Sequence, residues 1–135
     1  MIRADVIAID DDPGIRWLLQ EIFAIGGVKH AVTGLHLEAI ELAGQHRPAL
    51  AIVDVRLGGT DGVEVAKAIK RVSPETEILF LTGYGENVRA SVNQEELPYE
   101  LIEKPFDINV LLGTIRAACG RRHRMEQPGH VASSY

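Results

Sequence analysis

Four short stretches of this chain carry side chains suited to phosphoryl or metal chemistry, and each stands where an apolar run stops. Asp10-Asp11-Asp12 follows Val6-Ile7-Ala8-Ile9, and Asp54 follows Leu50-Ala51-Ile52-Val53. Thr82-Gly83 follows Ile78-Leu79-Phe80-Leu81, and Lys104-Pro105 comes soon after Tyr99 to Ile102. Carboxylates crowded at the end of a buried run repel one another, a cost that a divalent cation would relieve. An aspartate can act as a nucleophile and become an acyl phosphate. Hard Mg²⁺ takes one or two carboxylates together with water and phosphate oxygens, a hydroxyl can donate to a phosphoryl oxygen, and a lysine can pair with another. Phosphoryl transfer to a carboxylate needs this set, and its catalysis is positioning plus charge stabilisation.

The three consecutive aspartates divide by role. Asp12 precedes Pro13, and aspartate before a proline in the first helical turn is an N-cap arrangement. That leaves Asp10 and Asp11 for the metal. Asp54 has a cap as its structural alternative, but Val55-Arg56-Leu57 does not begin a clear helix. Asp61-Gly62 fits a cap or turn and is given no chemistry. Thr82 or Lys104 alone would say little; together, at the ends of different apolar runs, they form a constellation.

The elements that must bring these residues together are legible in outline. Runs that are apolar throughout suit strands buried on both faces of a parallel sheet. Lys29 to Thr33 is a weaker run suited to an edge, and Tyr99 to Ile102 is a short fifth. Between them, Ile15, Leu18, Leu19, Ile22 and Phe23 mark one helix, ended by Gly26-Gly27. Leu35 to His46 makes a second. Val65, Ile69 and Val72 mark a third, and Glu86 to Glu95 a poor fourth with few apolar residues. Ile108, Leu111, Leu112 and Ile115 mark the last, from Asp107 to Ala118. The order is (βα)5, an α/β doubly wound parallel sheet with helices on both faces. In such sheets function collects at the carboxyl ends of the strands, where all four stretches fall.

The 135 residues suit one domain, with 46% hydrophobic and 24% charged residues. The division expected is a folded unit over 1–119 and a flexible basic and polar tail over 120–135. In that tail Arg121-Arg122-His123-Arg124 reads as a solvated helix end. A net charge of −5 argues against broad nucleic-acid binding, and the single Cys119 excludes an internal disulfide framework. No run is long and apolar enough for a membrane span, and the first five residues lack a signal-peptide core. A cytoplasmic protein is expected.

The same stretches resemble the receiver domain of two-component response regulators. The likeness rests on Ile9-Asp10-Asp11-Asp12-Pro13 with Arg16, on Ile52-Val53-Asp54 with Asp61-Gly62, on Leu81-Thr82-Gly83 and on Lys104-Pro105-Phe106. It covers about residues 4 to 118, with order and spacing in agreement. It implies a flavodoxin-like sheet of strand order 2-1-3-4-5. It implies that Asp54 is the phosphoacceptor, that Asp11 and Asp54 bind Mg²⁺ (or Mn²⁺) directly, and that Arg56 adds its backbone carbonyl. Asp10 then supports the metal and orients Lys104, Thr82 donates to the phosphoryl group, and Pro105 follows a cis peptide bond. The partner implied is a sensor histidine kinase or histidine phosphotransfer protein, with the downstream target open and a homodimer among the outputs. Trp17, beside the apolar stripe of its helix, has partial burial as one reading and contact with a kinase helix as the other.

The sequence departs from the family pattern in places. Leu57-Gly58-Gly59 stands where receivers usually have a proline after the phosphoacceptor, which predicts a looser loop. Leu101 occupies the position, three before the lysine, where many receivers carry an aromatic that moves with the threonine. Tyr84 and Tyr99 are the substitutes to weigh. Phe80-Leu81-Thr82-Gly83-Tyr84 is similar to a Phe-Ala-Thr-Gly-Tyr type motif of some single-domain receivers. Residues 83 to 96 are therefore expected to order on phosphorylation, within a switch surface over 83–105. Two other function classes compete. A Mg²⁺-dependent phosphatase with an aspartate nucleophile wants a second aspartate two residues on, where Arg56 stands. A flavodoxin-like cofactor binder wants a phosphate loop after the first strand, where three aspartates would repel the phosphate.

Overall fold

The computed structural model describes residues 3–83, 88 and 92–126. Its elements run β1 (Val6–Ile9), α1 (Pro13–Ile25), β2 (His30–Thr33), α2 (His36–His46), β3 (Leu50–Asp54), β4 (Arg56–Leu57), β5 (Thr60–Asp61), α3 (Gly62–Val72), β6 (Glu77–Thr82), β7 (Tyr99–Glu103) and α4 (Ile108–Glu126). Five strands form one parallel sheet in the order β2-β1-β3-β6-β7. This is the expected 2-1-3-4-5 order once the small β4–β5 hairpin is set apart.

The period-two alternation of the central strands divides the apolar residues between two layers. Ile7, Ile9, Ala51, Val53, Ile78 and Phe80 face α2 and α3. Val6, Ala8, Leu50, Ile52, Leu79 and Leu81 face α1 and α4. The central strands β1, β3 and β6 are thus buried on both sides, which is why their runs are apolar.

Local chemistry sets the ends of the elements. Asp12 caps α1 by accepting from the Gly14 amide at 2.8 Å, with Pro13 in the first turn. The helix stops at Gly26-Gly27, where Gly27 takes φ +67 and the Val28 amide returns to the Phe23 carbonyl at 2.9 Å. Asp61 caps α3 through the Val63 amide at 2.9 Å. The segment after Asp54 is more regular than its glycines suggest. Arg56 and Leu57 pair antiparallel with Asp61 and Thr60, and Gly58 supplies the positive φ of the turn.

Two expectations need correction. The last helix does not stop at Ala118, and residues 120–126 are not a flexible tail; α4 continues to Glu126. Its last turns are held by charge rather than by an apolar stripe. Arg121 grips Glu77 with two hydrogen bonds of 2.8 and 2.7 Å, and Arg122 donates to the carbonyls of Arg47 and Pro48 at 2.6 and 3.0 Å. The fourth helix of the (βα)5 pattern, expected over 86–95, falls half outside the described residues. Among those described, the Val92 amide reaches the Val88 carbonyl at 3.1 Å, both valines are buried, and a turn runs from Asn93 to Leu97. No helix among the described residues is long and apolar enough to cross a membrane.

Candidate functional site

The sheet register brings the ends of β1, β3, β6 and the segment after β7 to one edge. Asp10 leaves β1 fully buried, and Asp54 ends β3 only 6% exposed. The exposed Asp11 lies beside them, and one carboxylate oxygen from each of Asp10, Asp11 and Asp54 lies within 4.8 Å of the others. Lys104 reaches in from beyond β7. Its Nζ lies 3.1 Å from Asp10 Oδ2 and 3.3 Å from Asp54 Oδ2. The buried Thr82 ends β6, and its carbonyl accepts from the Lys104 amide at 2.8 Å. Its hydroxyl rests on the Gly83 carbonyl at 3.2 Å. The Lys104–Pro105 peptide bond is cis.

The second carboxylate oxygens of Asp10 and Asp54 are occupied as well. Asp10 Oδ1 accepts from the Asp12 amide at 2.9 Å, and Asp54 Oδ1 accepts from the Arg56 amide at 3.1 Å. One oxygen of each buried aspartate therefore anchors its own loop, and the other faces the ammonium.

Within this cluster charge is unbalanced, with the three carboxylates of Asp10, Asp11 and Asp54 around the one ammonium of Lys104. Burial, and then the charge of Asp10, push the Asp54 carboxyl up from 3.8 to about 6, although the Arg56 amide and Lys104 pull the other way. Burial alone would lower Lys104; the hydrogen bond and charge of Asp10, followed by those of Asp54, outweigh it and hold the ammonium above its ordinary value. Both groups move upward, Asp54 chiefly through burial and Lys104 through its two carboxylate partners. A divalent cation among the three aspartates would cancel the excess of negative charge, so the donor set fits such an ion.

Three residues support the site in ways the sequence reading did not assign. Arg16 donates from Nη1 to the Asp10 carbonyl at 2.9 Å, fixing the loop after β1. Gly34 leaves room for that guanidinium, since a Cβ there would lie 2.5 Å from Nη1. Gly62 lets α3 start against β3, where a Cβ would collide with the Asp54 carbonyl. Only a glycine at the head of a helix and an arginine one turn into another hint at this in the sequence.

The switch candidates separate. Leu101 pairs with Phe80 in the register and is half-buried, whereas Thr82 pairs with Glu103. Tyr99 pairs with Ile78, four residues from Thr82 along β6, roughly 13 Å at the rise of a strand. Its ring meets Phe80 edge-on at 5.4 Å, and its buried hydroxyl has no hydrogen-bond partner among the described residues. The register thus places Tyr99 out of direct reach of Thr82. Tyr84 lies outside the described residues. Trp17 is 63% exposed, so the partial burial considered for it is slight.

Comparison with known proteins gives one consistent result. Residues 6–116 match the family model described as the response regulator receiver domain. Over 116 residues the chain is 28% identical to sporulation initiation phosphotransferase F of Bacillus subtilis (strain 168), covering 86% of this chain and 94% of that protein. Over 131 residues it is 27% identical to the DNA-binding transcriptional regulator NtrC of Escherichia coli (strain K12). That match takes in 97% of this chain and only 28% of the regulator's length. A CheY-like response regulator receiver domain protein from Methanospirillum hungatei JF-1 shares the fold, with a TM-score of 0.81 at 18% identity over 92% of this chain and 99% of that one.

Proposed function

The chain belongs to the response regulator receiver domain family of two-component signalling, and from that premise we propose that Asp54 is its phosphoacceptor, working with Mg²⁺ held by Asp10, Asp11, Asp54 and the Arg56 carbonyl. The observation that carries this reading is the Lys104 ammonium set between Asp10 and Asp54, with Asp11 at the open side of the pair. Asp54 Oδ2 is the nucleophile, because Oδ1 is committed to the Arg56 amide. In the transfer a bond forms from this oxygen to phosphorus and the bond from phosphorus to a donor imidazole nitrogen breaks. The imidazole leaves and regains a proton from solvent. Bound Mg²⁺, or Mn²⁺ in its place, neutralises charge on the phosphoryl oxygens. Lys104 shifts from the Asp54 carboxylate to a phosphoryl oxygen, and the Thr82 hydroxyl turns from the Gly83 carbonyl to another.

The donor is a phosphohistidine on a sensor histidine kinase or a histidine phosphotransfer protein, with Trp17 at the contact and the cytoplasm as the setting. The output is a changed surface over residues 83–105, read by a protein partner, a further phosphotransfer step, a second copy of the chain or a domain outside this sequence. The competing phosphatase reading has no support, since Arg56 occupies the place of its second aspartate.

Incubation with Mg²⁺ and acetyl phosphate, followed by intact-mass measurement, tests the assignment. One phosphoryl group should appear on the wild type and none on Asp54→Asn or on wild type without divalent metal. Labelling that persists in both controls would sink it.

A further inference from the structure

The opposite edge of the sheet gathers charge of the other sign. A cavity of about 340 Å³ opens where β1, β2 and β3 begin and α4 ends, lined by Arg3, Lys29, Arg47 and Arg122 with Asp5 and Glu126. Four cations face two carboxylates there, in a protein of net charge −5.

The fold fixes two of these cations, Arg3 and Arg122. The Arg122 side chain is only 10% exposed and donates to the carbonyls of Arg47 and Pro48. Arg3 donates to the His46 carbonyl at 2.9 Å and to the Arg47 carbonyl at 3.3 Å. The Arg47 carbonyl thus receives two guanidiniums and fixes the end of α2. Arg47 itself sits at φ 46, in the left-handed region where a helix usually ends on glycine. Its carbonyl is used, but its guanidinium is not: among the described residues no hydrogen bond or ion pair holds that group or the Lys29 ammonium. Glu126 comes no closer than 3.9 Å to Arg122. An arginine kept at a backbone position that disfavours side chains, with its charged tip unused beside a cavity, lacks a folding reason.

We propose that this cavity binds a small oxyanion carrying two or more negative charges, phosphate-bearing or polycarboxylate. Arg47, Arg3 and Lys29 supply the contacts, and the buried Arg122 forms the floor. Guanidiniums suit such a ligand because their paired donors match two oxygens at once. The volume lies at the small end of ligand cavities, about 300–1,000 Å³, which suits a small molecule better than a peptide strand.

The test uses the whole chain in metal-free buffer, where the three aspartates of the other edge repel anions. Inorganic pyrophosphate and citrate are titrated separately at constant ionic strength, followed by calorimetry and amide chemical shifts. Saturable single-site binding is expected, with shifts gathered at Ala4, Lys29 and Arg47 and not at Asp10 or Asp54. Saturation by pyrophosphate alone identifies a phosphate-bearing ligand; saturation by both, or by citrate, identifies a polycarboxylate-tolerant site. Arg47→Gly suits the left-handed backbone and should fold at least as stably while binding at least tenfold more weakly. Lys29→Ala, which removes an exposed side chain without a hydrogen bond or ion pair among the described residues, should also weaken binding. Wild-type affinity in both variants, shifts that never saturate, or saturable binding of a poly-glutamate peptide only would overturn the proposal.

Discussion

Asp54 carries the tension of the site in a single side chain. It is buried beside Asp10, so its neutral form is favoured in the folded protein and its carboxyl is raised from 3.8 to about 6. A raised carboxyl contributes stability at low pH, where it is protonated, and loses that contribution as pH climbs through the folded value. Asp54→Asn, a neutral isostere, should therefore be more stable than wild type at about pH 8 in metal-free buffer, by on the order of 1–3 kcal/mol. The gap should shrink as pH falls through about 6 and vanish below about 4. Urea unfolding across that range measures it; an asparagine variant less stable than wild type at high pH would show that Lys104 outweighs the burial. Tyr99 makes a second residue-scale prediction. Its hydroxyl is buried without a hydrogen-bond partner among the described residues, while its ring packs on Phe80. Tyr99→Phe should raise stability by about 1 kcal/mol, with the ring contact kept. Thermal unfolding checks this, and a loss of stability would mean that the hydroxyl has a partner after all. The ionic residues of the site were legible because each follows an apolar run. That Tyr99 stands level with Ile78, four residues from Thr82, is not legible in the sequence, because the pattern of residue types does not reveal strand register.

At the scale of elements, most boundaries follow from short-range chemistry. Asp12 and Asp61 cap the helices that start beside the site, and Asp107 accepts from the amides of Asn109 and Val110 at 2.7 and 3.2 Å at the head of α4. The far end of α4 follows a different rule. Past Cys119 the apolar period is lost, so the sequence reads as a tail, yet two arginines fasten those turns to the sheet. Their contributions should differ. The Arg121 side chain is 42% exposed, and its pairing with Glu77 should be worth less than about 1 kcal/mol. Arg122 is 10% exposed and satisfies two carbonyls, so Arg122→Ala should cost about 1–3 kcal/mol. Denaturant unfolding of the two variants decides the matter, and equal, negligible losses would return residues 120–126 to the status of a tail.

For the whole molecule, the two layers of side chains hold five strands rigidly in register, so that loops far apart in the chain meet at one edge. Thr82 itself lies level with Glu103 of the neighbouring β7, and Leu101 with Phe80. If residues 83–96 order on phosphorylation, beryllofluoride with Mg²⁺ should slow their amide exchange while leaving β1 and β3 unchanged. Equal exchange with and without the mimic would rule this out. Size-exclusion chromatography under the same two conditions shows whether a second copy is the partner. The sequence by itself determined the alternation of strands and helices, the two-sided burial of the strands and the identities of Asp10, Asp11, Asp54, Thr82 and Lys104, because apolar period and punctuation are local properties. Only the tertiary structure decided that Lys104 lies between two aspartates far away in sequence, that Gly34 and Gly62 make room for the site, that Tyr99 is too distant from Thr82, and that Arg122 anchors the end of α4. Those facts depend on register and on which backbone passes close to which, and these are fixed by packing across the sheet.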